Sequence, residues 1–371
     1  MLKQLIRLAG RYWWLSLLFW IVLVSPAQAA LVLRVAIEDS VRQLKVGSST
    51  TALIRDGAGR KLGEMGAMNG LNAQADGRGV ALGQWQATQI SIEPTGGGYV
   101  WIGDRWYRGR TRLVPTAKGL TAVNYVDLEK YLYSVLGAEM SANWPQEALK
   151  AQAVAARTFA LYKRQTSGNG VYDVGDTQTS QVYKGLESEG KATRMAVNAT
   201  AGQVLTYKGK IILAVFHSSS GGHTENVEDV WSEPLPYLRG VPDYDQGTPT
   251  YQWAKTFSRS ELSRRIGMSN VRLLIPERTS PYGRIMTMKV VGDRGPQTIS
   301  GTKLRQALGL KSTRFTVTST ANAFELNGSG FGHGLGMSQW GAYNLAQQKV
   351  NYQQILQHYY QGTTLANIQV Q

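Results

Sequence analysis

The chain has 371 residues, a formal charge of +15 and no cysteine. Disulfide staples and thiolate metal ligands are therefore excluded, and stability rests on a buried core. The excess of Lys and Arg concentrates such a protein near polyanions, although no run of like charges longer than three occurs.

Lys3, Arg7 and Arg11 precede an apolar run at 13–24, followed by Ser25-Pro26 and the small-residue triplet Ala27-Gln28-Ala29. This is the layout of a secretory signal peptide at 1–29, cleaved near Ala29 or Ala30. The apolar run is shorter than the roughly 20 residues that span a bilayer, which argues against an uncleaved anchor. No later stretch reads as a membrane helix, so a soluble mature chain outside the cytoplasmic membrane, in the periplasm or cell wall, is expected. Cleavage removes three basic residues and no acidic one, leaving +12. Export and the absence of a nucleic-acid-binding module make nucleic acid a poor partner. Cell wall, with its carboxylated peptides and anionic polymers, fits the compartment.

From 30 to 122 short apolar runs alternate with glycine-rich punctuation, which predicts a β-rich unit with strands at 31–37, 51–54, 90–92, 99–102 and 119–123. Gly96-Gly97-Gly98 is the clearest turn. Composition then shifts. Leu128, Tyr131, Leu132 and Val135 recur at helical spacing and predict a helix over 127–136. Pro145 opens a second, alanine-rich helix to about 165, with Glu147 near its positive end. Lys150, Arg157 and Arg164 recur every seven residues along one face of it. A hairpin is expected at 200–216, with strand 203–207, a Lys208-Gly209-Lys210 turn and a buried strand at 211–216. Loop-rich sequence follows at 217–252. An inserted mixed module at about 255–312 holds helices at 260–266 and 301–308 and a strand at 284–291. One strand is predicted at 315–326, a helix at 339–348, and a last helix at 352–360 capped by Asn351 and stopped near Gly362. The fold class is α+β, a β-rich N-terminal unit followed by a mixed α/β core carrying the insertion.

Glu139 is the candidate general acid and base, because Leu136, Met140 and Trp144 can desolvate its carboxyl group and raise its pKa. Glycoside hydrolases usually use two carboxylates about the scissile bond. A lytic transglycosylase needs only one, since the 6-hydroxyl of the muramic acid sugar is the nucleophile. A position next to a helix also suits a capping or surface Glu. Arg157 fits either a grip on a substrate carboxylate or a solvated helix face. His217 and His223 stand six apart with Glu225, Glu228 and Asp229 close behind, so zinc through His217 and His223 is one reading. A polar sugar-binding loop from Ser218 to Thr224 is the other. His333 lies among Gly330, Gly332, Gly334 and Gly336, a run that lacks dinucleotide spacing, and Ser338 is not in a nucleophile elbow. His333 and Gln339 are read as substrate-orienting. Trp144, Trp231 and Trp340 suit sugar stacking or core.

These blocks resemble the sporulation stage II protein D family, also called the amidase enhancer or LytB family. The resemblance runs in order through Leu128-Glu129-Lys130-Tyr131-Leu132, Glu139-Met140, the Trp144 to Leu161 helix, Asp176-Thr177 with Gln181-Val182-Tyr183, Phe216-His217-Ser218-Ser219-Ser220-Gly221-Gly222-His223-Thr224-Glu225, Pro236-Tyr237-Leu238 and Gly332-His333-Gly334 through Ser338-Gln339. It covers about 123–362 and makes 123–371 the family domain. It implies a peptidoglycan lytic transglycosylase that cuts the MurNAc–GlcNAc bond of amidase-denuded strands and leaves 1,6-anhydro-MurNAc ends. Glu139 would be catalytic, with Arg157, Gln181, Tyr183, His217, Ser219, His333 and Gln339 binding substrate and no cofactor. Some family members bind zinc partly through cysteines, which this chain lacks. The alternative is a non-catalytic wall-binding activator of an N-acetylmuramoyl-L-alanine amidase. An amidase itself would need a full metal site, hard to assemble from four histidines and no cysteine.

Overall fold

A computed structural model describes residues 31–77, 79–177, 180–231 and 233–368. The expected signal peptide lies outside the described residues. Within them, eight α-helices and twenty-four strands make an α+β protein.

Strand Val32–Val41 pairs with Gly119–Asp127 on one side and with the short Val174–Gly175 on the other. Arg110–Thr116, Ile90–Pro94, Ala52–Asp56 and Lys61–Met65 complete this seven-stranded sheet. A second sheet of six strands is built on Gln43–Ser48 and Gly70–Ala75, flanked by four strands of three residues each. All five strands expected here are present. Of the additional strands, Gln43–Ser48 and Gly70–Ala75 do alternate polar and apolar residues, whereas the three-residue strands are too short to show a period. Alternation sets the layers. Leu33, Val35, Ile54, Ile90, Ile92 and Leu113 are buried, while Arg34, Glu93, Arg110 and Arg112 lie on the opposite face. Gly96 and Gly97, at φ 60° and 74°, turn the chain between Ile90–Pro94 and Val100–Ile102.

Strand Gly119–Asp127 leads directly into helix α1 (Leu128–Glu139), whose N-terminus is capped by Asp127 accepting from the Lys130 amide. Helix α2 (Gln146–Thr166) follows, and from Ala148 to Leu161 only Lys150 is not buried. Its alanines allow neighbours to approach closely. It packs against α1, α3 (Lys191–Ala199) and strand Gln203–Tyr207. The even spacing of Lys150, Arg157 and Arg164 therefore does not mark a solvated face, since Arg157 is fully buried.

Gln203–Tyr207 turns back through Lys208 and Gly209, as expected, but its longer partner is Thr364–Asn367. The predicted strand at 211–216 does not form as one. Lys210–Ile211 pairs with the hairpin and Phe216–His217 with Met337–Ser338, while Ile212, Ala214 and Val215 are buried in a bent segment. β propensity there reports burial rather than pairing. Helix α4 (Val227–Val230) lies in the following loops.

Gln252–Ser258, Phe315–Ser319 and Ala323–Ser329 form one sheet, and Leu273–Thr279, Ile285–Gly292 and Gly295–Ser300 another. Helices α5 (Arg259–Ile266) and α6 (Gly301–Leu308) cover them, and Phe257, Leu262, Met288, Leu304, Phe324 and Leu326 share a core. The single strand expected at 315–326 is a hairpin, broken where the Thr320 amide donates to the Ala323 carbonyl. Helices α7 (Gln339–Gln347) and α8 (Tyr352–Tyr359) return to α2, and Asn351 and Gln354 cap α8 reciprocally.

The seat of α1 depends on Gly137, where a Cβ would come 1.8 Å from the Ser188 carbonyl oxygen. Gly137→Ala is expected to cost about 1–3 kcal/mol through forced separation of backbones, measured as a fall in the urea unfolding midpoint.

Candidate active site

Glu139 is the last residue of α1, and the short reversal before Pro145 brings Trp144 to the same end of the helix pair. The Glu139 carboxyl is half-buried. Its Oε1 faces the Val182 amide at 3.5 Å, and its Oε2 accepts from Gln339 Nε2 at 3.2 Å. Burial pushes its pKa up, opposed by these two donors, neither of which is charged. Trp144, Trp340 and Tyr343 form an aromatic cluster with ring separations of 4.6 to 5.3 Å.

Gln339 is the first residue of α7, whose N-terminus is capped by Ser338 Oγ accepting from the Gly341 amide. Below it Asp243 accepts from Ser220 Oγ and Tyr359 OH, each at 2.6 Å. Burial and the neighbouring Asp245 raise the Asp243 pKa. Gly341 is required by this proximity, because a Cβ there would sit 1.9 Å from Asp243 Oδ1.

The parallel pairing of Phe216–His217 with Met337–Ser338 ties the His217 loop to the Gln339 loop. His217 Nδ1 donates to the Leu335 carbonyl at 3.0 Å, and its buried Nε2 has no hydrogen-bond partner. His333 lies 5.3 Å from it, ring to ring, and accepts the Leu335 amide at Nδ1. Burial and Arg284 hold His333 down at about 4, and burial with the neighbouring His333 holds His217 well below its ordinary range, so both rings are neutral at physiological pH. Trp231, 44% exposed, and Phe331, 40% exposed, flank this loop. Arg284 is buried beneath it, donating to the carbonyls of Gly332 and Ser220 and lying 3.5 Å from Glu225. Gly334, at φ 83°, leaves room for that guanidinium.

Four residues expected to bind substrate are buried, with polar atoms engaged inside the protein. Arg157 is 0% exposed. It holds Glu129 through two bonds of 2.8 and 2.6 Å and donates to the carbonyls of Gln203 and Val197, so it neither meets Glu139 nor offers a donor to substrate. Gln181 is buried between Tyr131 OH and the Ala156 carbonyl. Tyr183 is buried with its OH on Asn124. Ser219 is buried with its Oγ 2.5 Å from Asp245. All four are polar side chains satisfied internally, the usual requirement for burial. Sequence reasoning missed Glu129, Asp243, Asp245 and Tyr343; Glu129 stood within a recognised block, but nothing local named Arg157 as its partner.

The zinc reading is corrected as well. The His223 ring stacks on Tyr282 at 3.7 Å and its Nδ1 donates to the Thr224 carbonyl, while Glu228 pairs with Arg239. No group of three His, Asp or Glu suited to a metal occurs among the described residues. With no cysteine to complete it, this donor set does not fit zinc.

Residues 116–207 match the family model described as "Stage II sporulation protein", and 237–336 match one described as a domain of unknown function, DUF8618. Over 267 residues the chain is 36% identical to stage II sporulation protein D of Bacillus subtilis, covering 66% of this chain and 76% of that protein. The chain belongs to the stage II sporulation protein D family. Another relative in this range is an uncharacterized protein of Brachyspira hyodysenteriae, 36% identical over 70% of this chain and 72% of that protein. The amidase enhancer of Bacillus subtilis is 32% identical over 64% of this chain but only 40% of its own length. Family membership carries a cell-wall-related role to this chain. Among the described residues no helix is long and apolar enough to cross a membrane.

Replacing Arg157 by Ala is expected to cost about 3–5 kcal/mol, since Glu129 is left without its buried partner. Urea denaturation checks this, and Arg157→Lys should recover little because one ammonium cannot span the four acceptors. Glu139 is stabilising in its protonated form and its contribution is lost as pH rises through its raised pKa. Glu139→Gln is therefore expected to raise the unfolding midpoint at pH 7 and not at pH 3.

Proposed function

We propose that this member of the stage II sporulation protein D family is an exported lytic transglycosylase that cuts peptidoglycan glycan strands between MurNAc and GlcNAc. The observation that carries this reading is Glu139: a desolvated carboxyl group held by two uncharged donors, with no cation among its partners. Such an environment favours the protonated form that general acid catalysis requires. Glu139 donates its proton to the bridging oxygen as the C1–O bond of MurNAc breaks. The C6 hydroxyl of the same sugar attacks C1, closing the 1,6-anhydro ring, and its proton passes to the Glu139 carboxylate. Water is not consumed, and the acid is restored. Gln339 fixes the carboxyl through Oε2. Trp144, Trp340 and Tyr343 offer faces on which sugar rings stack. His333, half-buried and neutral, supplies a hydrogen bond rather than charge, while buried His217 holds its loop through the Leu335 carbonyl. The segment at 1–29 supports export, and the basic surface supports residence at an anionic wall.

A second reading is favoured by the likeness to an amidase enhancer: a wall-binding protein that activates an amidase. The two separate in one experiment. Denuded and peptide-bearing glycan are incubated with the mature protein and with Glu139→Gln, and products are analysed by mass spectrometry. Anhydro-MurNAc ends are expected from the parent alone, with a rate loss of about 10²–10⁴ for the variant. Activity should fall as pH rises through the Glu139 pKa, because the acid form starts the reaction. Parent and variant both binding wall and yielding no anhydro ends would favour the activator.

A further inference from the structure

On the solvent side of the seven-stranded sheet the register aligns Arg34, Tyr125, Arg110 and Glu93 in one row across four adjacent strands. Arg110 and Arg112 alternate along one strand, and both guanidiniums lie over the Tyr125 ring, at 5.4 and 5.1 Å from its centroid. Two adjoining cavities open here. One, of about 330 Å³, is walled by Tyr99, Pro94 and Gly97 and reached by Arg108, Arg110 and Lys130. The other, of about 320 Å³, is reached by Arg34, Arg110 and Arg164. Val32, Arg110 and Tyr125 are common to both. Each is of a size that takes a small ligand.

Charge and partnering decide which ligand. Five cations line the two cavities against two carboxylates, Glu93 and Asp173. Arg34 is held by Asp173, and Arg108 is held by Glu189 through two bonds. Arg110 is only 3.8 Å from Glu93, while Lys130 and Arg164 are exposed and make no ion pair. Lys130 and Arg164 are thus without a carboxylate partner among the described residues and Arg110 is loosely paired, the three set around the walls that Tyr99 and Tyr125 form. Arg108 stands over the Tyr99 ring at 5.4 Å from its centroid, as Arg110 and Arg112 stand over Tyr125, so the rings hold the guanidiniums in place and a carboxylate is the complement that their planar forks take. The place is separate from the reaction centre. Lys130 is in the first turn of α1 and Glu139 is its last residue, about 13 Å apart along the helix axis.

We propose that these paired cavities are an exosite for an acidic saccharide, a sugar carrying a carboxylate, with Arg110 and Lys130 on the anion and the sugar ring in the space that Tyr99 and Tyr125 wall. Two cavities sharing Tyr125 accept neighbouring sugars of one strand. The proposal takes from the functional reading only that glycan is the ligand class. It requires no catalysis.

The test uses the mature full chain carrying Glu139→Gln, titrated by calorimetry with N-acetylmuramic acid, its carboxyl-reduced derivative and N-acetylglucosamine. The acid is expected to bind, the two neutral sugars weakly or not at all, and affinity to fall with added salt. Arg110→Glu with Lys130→Glu should lower affinity for the acid by on the order of tenfold or more. Arg164→Glu should lower it by less, and far-ultraviolet circular dichroism should show every variant folded. Equal binding of acid and carboxyl-reduced sugar, or undiminished binding by the double variant, overturns the exosite. So does tighter binding of a DNA duplex than of denuded glycan at equal ionic strength. Binding of the acid that survives while the Glu139 parent makes no anhydro ends leaves the exosite standing and removes only the transglycosylase.

Discussion

The buried guanidinium of Arg157 is the junction on which the elements around Glu139 are assembled. From the middle of α2 it holds Glu129 in the first turn of α1, the Val197 carbonyl near the end of α3 and the Gln203 carbonyl at the start of a strand. Glu129 extends the junction by accepting the Gly202 amide at 3.1 Å. Arginine suits this position because a planar fork with five donors serves several acceptors at once and stays charged when buried. Once both ends of α1 are fixed, by Glu129 at the start and by Gly137 against Ser188 near the end, the orientation of Glu139 follows.

A second set of buried polar groups fixes the opposing wall. Asp243, Asp245, Ser219, Ser220 and Tyr359 satisfy one another beneath the loops that carry His217 and Gln339. Arg284, just before strand Ile285–Gly292, and Arg314, just before strand Phe315–Ser319, reach the carbonyls of Ser220, Gly221 and Gly332. Networks of this kind are rigid when every member is satisfied. The residues in direct contact with Glu139 are therefore few, whereas those that hold them in place are many and mostly buried. The uncharged partners of Glu139 matter most for chemistry. An arginine in their place would lower its pKa and leave no acid to donate.

Charge is handled differently inside and outside. Interior cations are committed to carboxylates and carbonyls, while the sheet face around Tyr125 keeps several with none or only a distant partner. The sheet face around Tyr125 thus holds part of the chain's excess of positive charge at the far end of α1 from Glu139.

The sequence by itself determined the α+β class and most helices to within a few residues, because period, capping residues and breakers act over short distances. It also marked Gln339 and the glycine-rich loop around His333. What it could not determine was exposure. Arg157, Gln181, Tyr183 and Ser219 stand in blocks that read as substrate contacts, yet their partners Glu129, Tyr131, Asn124 and Asp245 lie between about 26 and 59 residues away. Likewise the segments 211–216 and 315–326 carry strand propensity, but which of their backbone groups find a ladder depends on strands elsewhere. Only the tertiary structure decided these matters, because burial and pairing are set by contacts between segments that local periodicity does not encode.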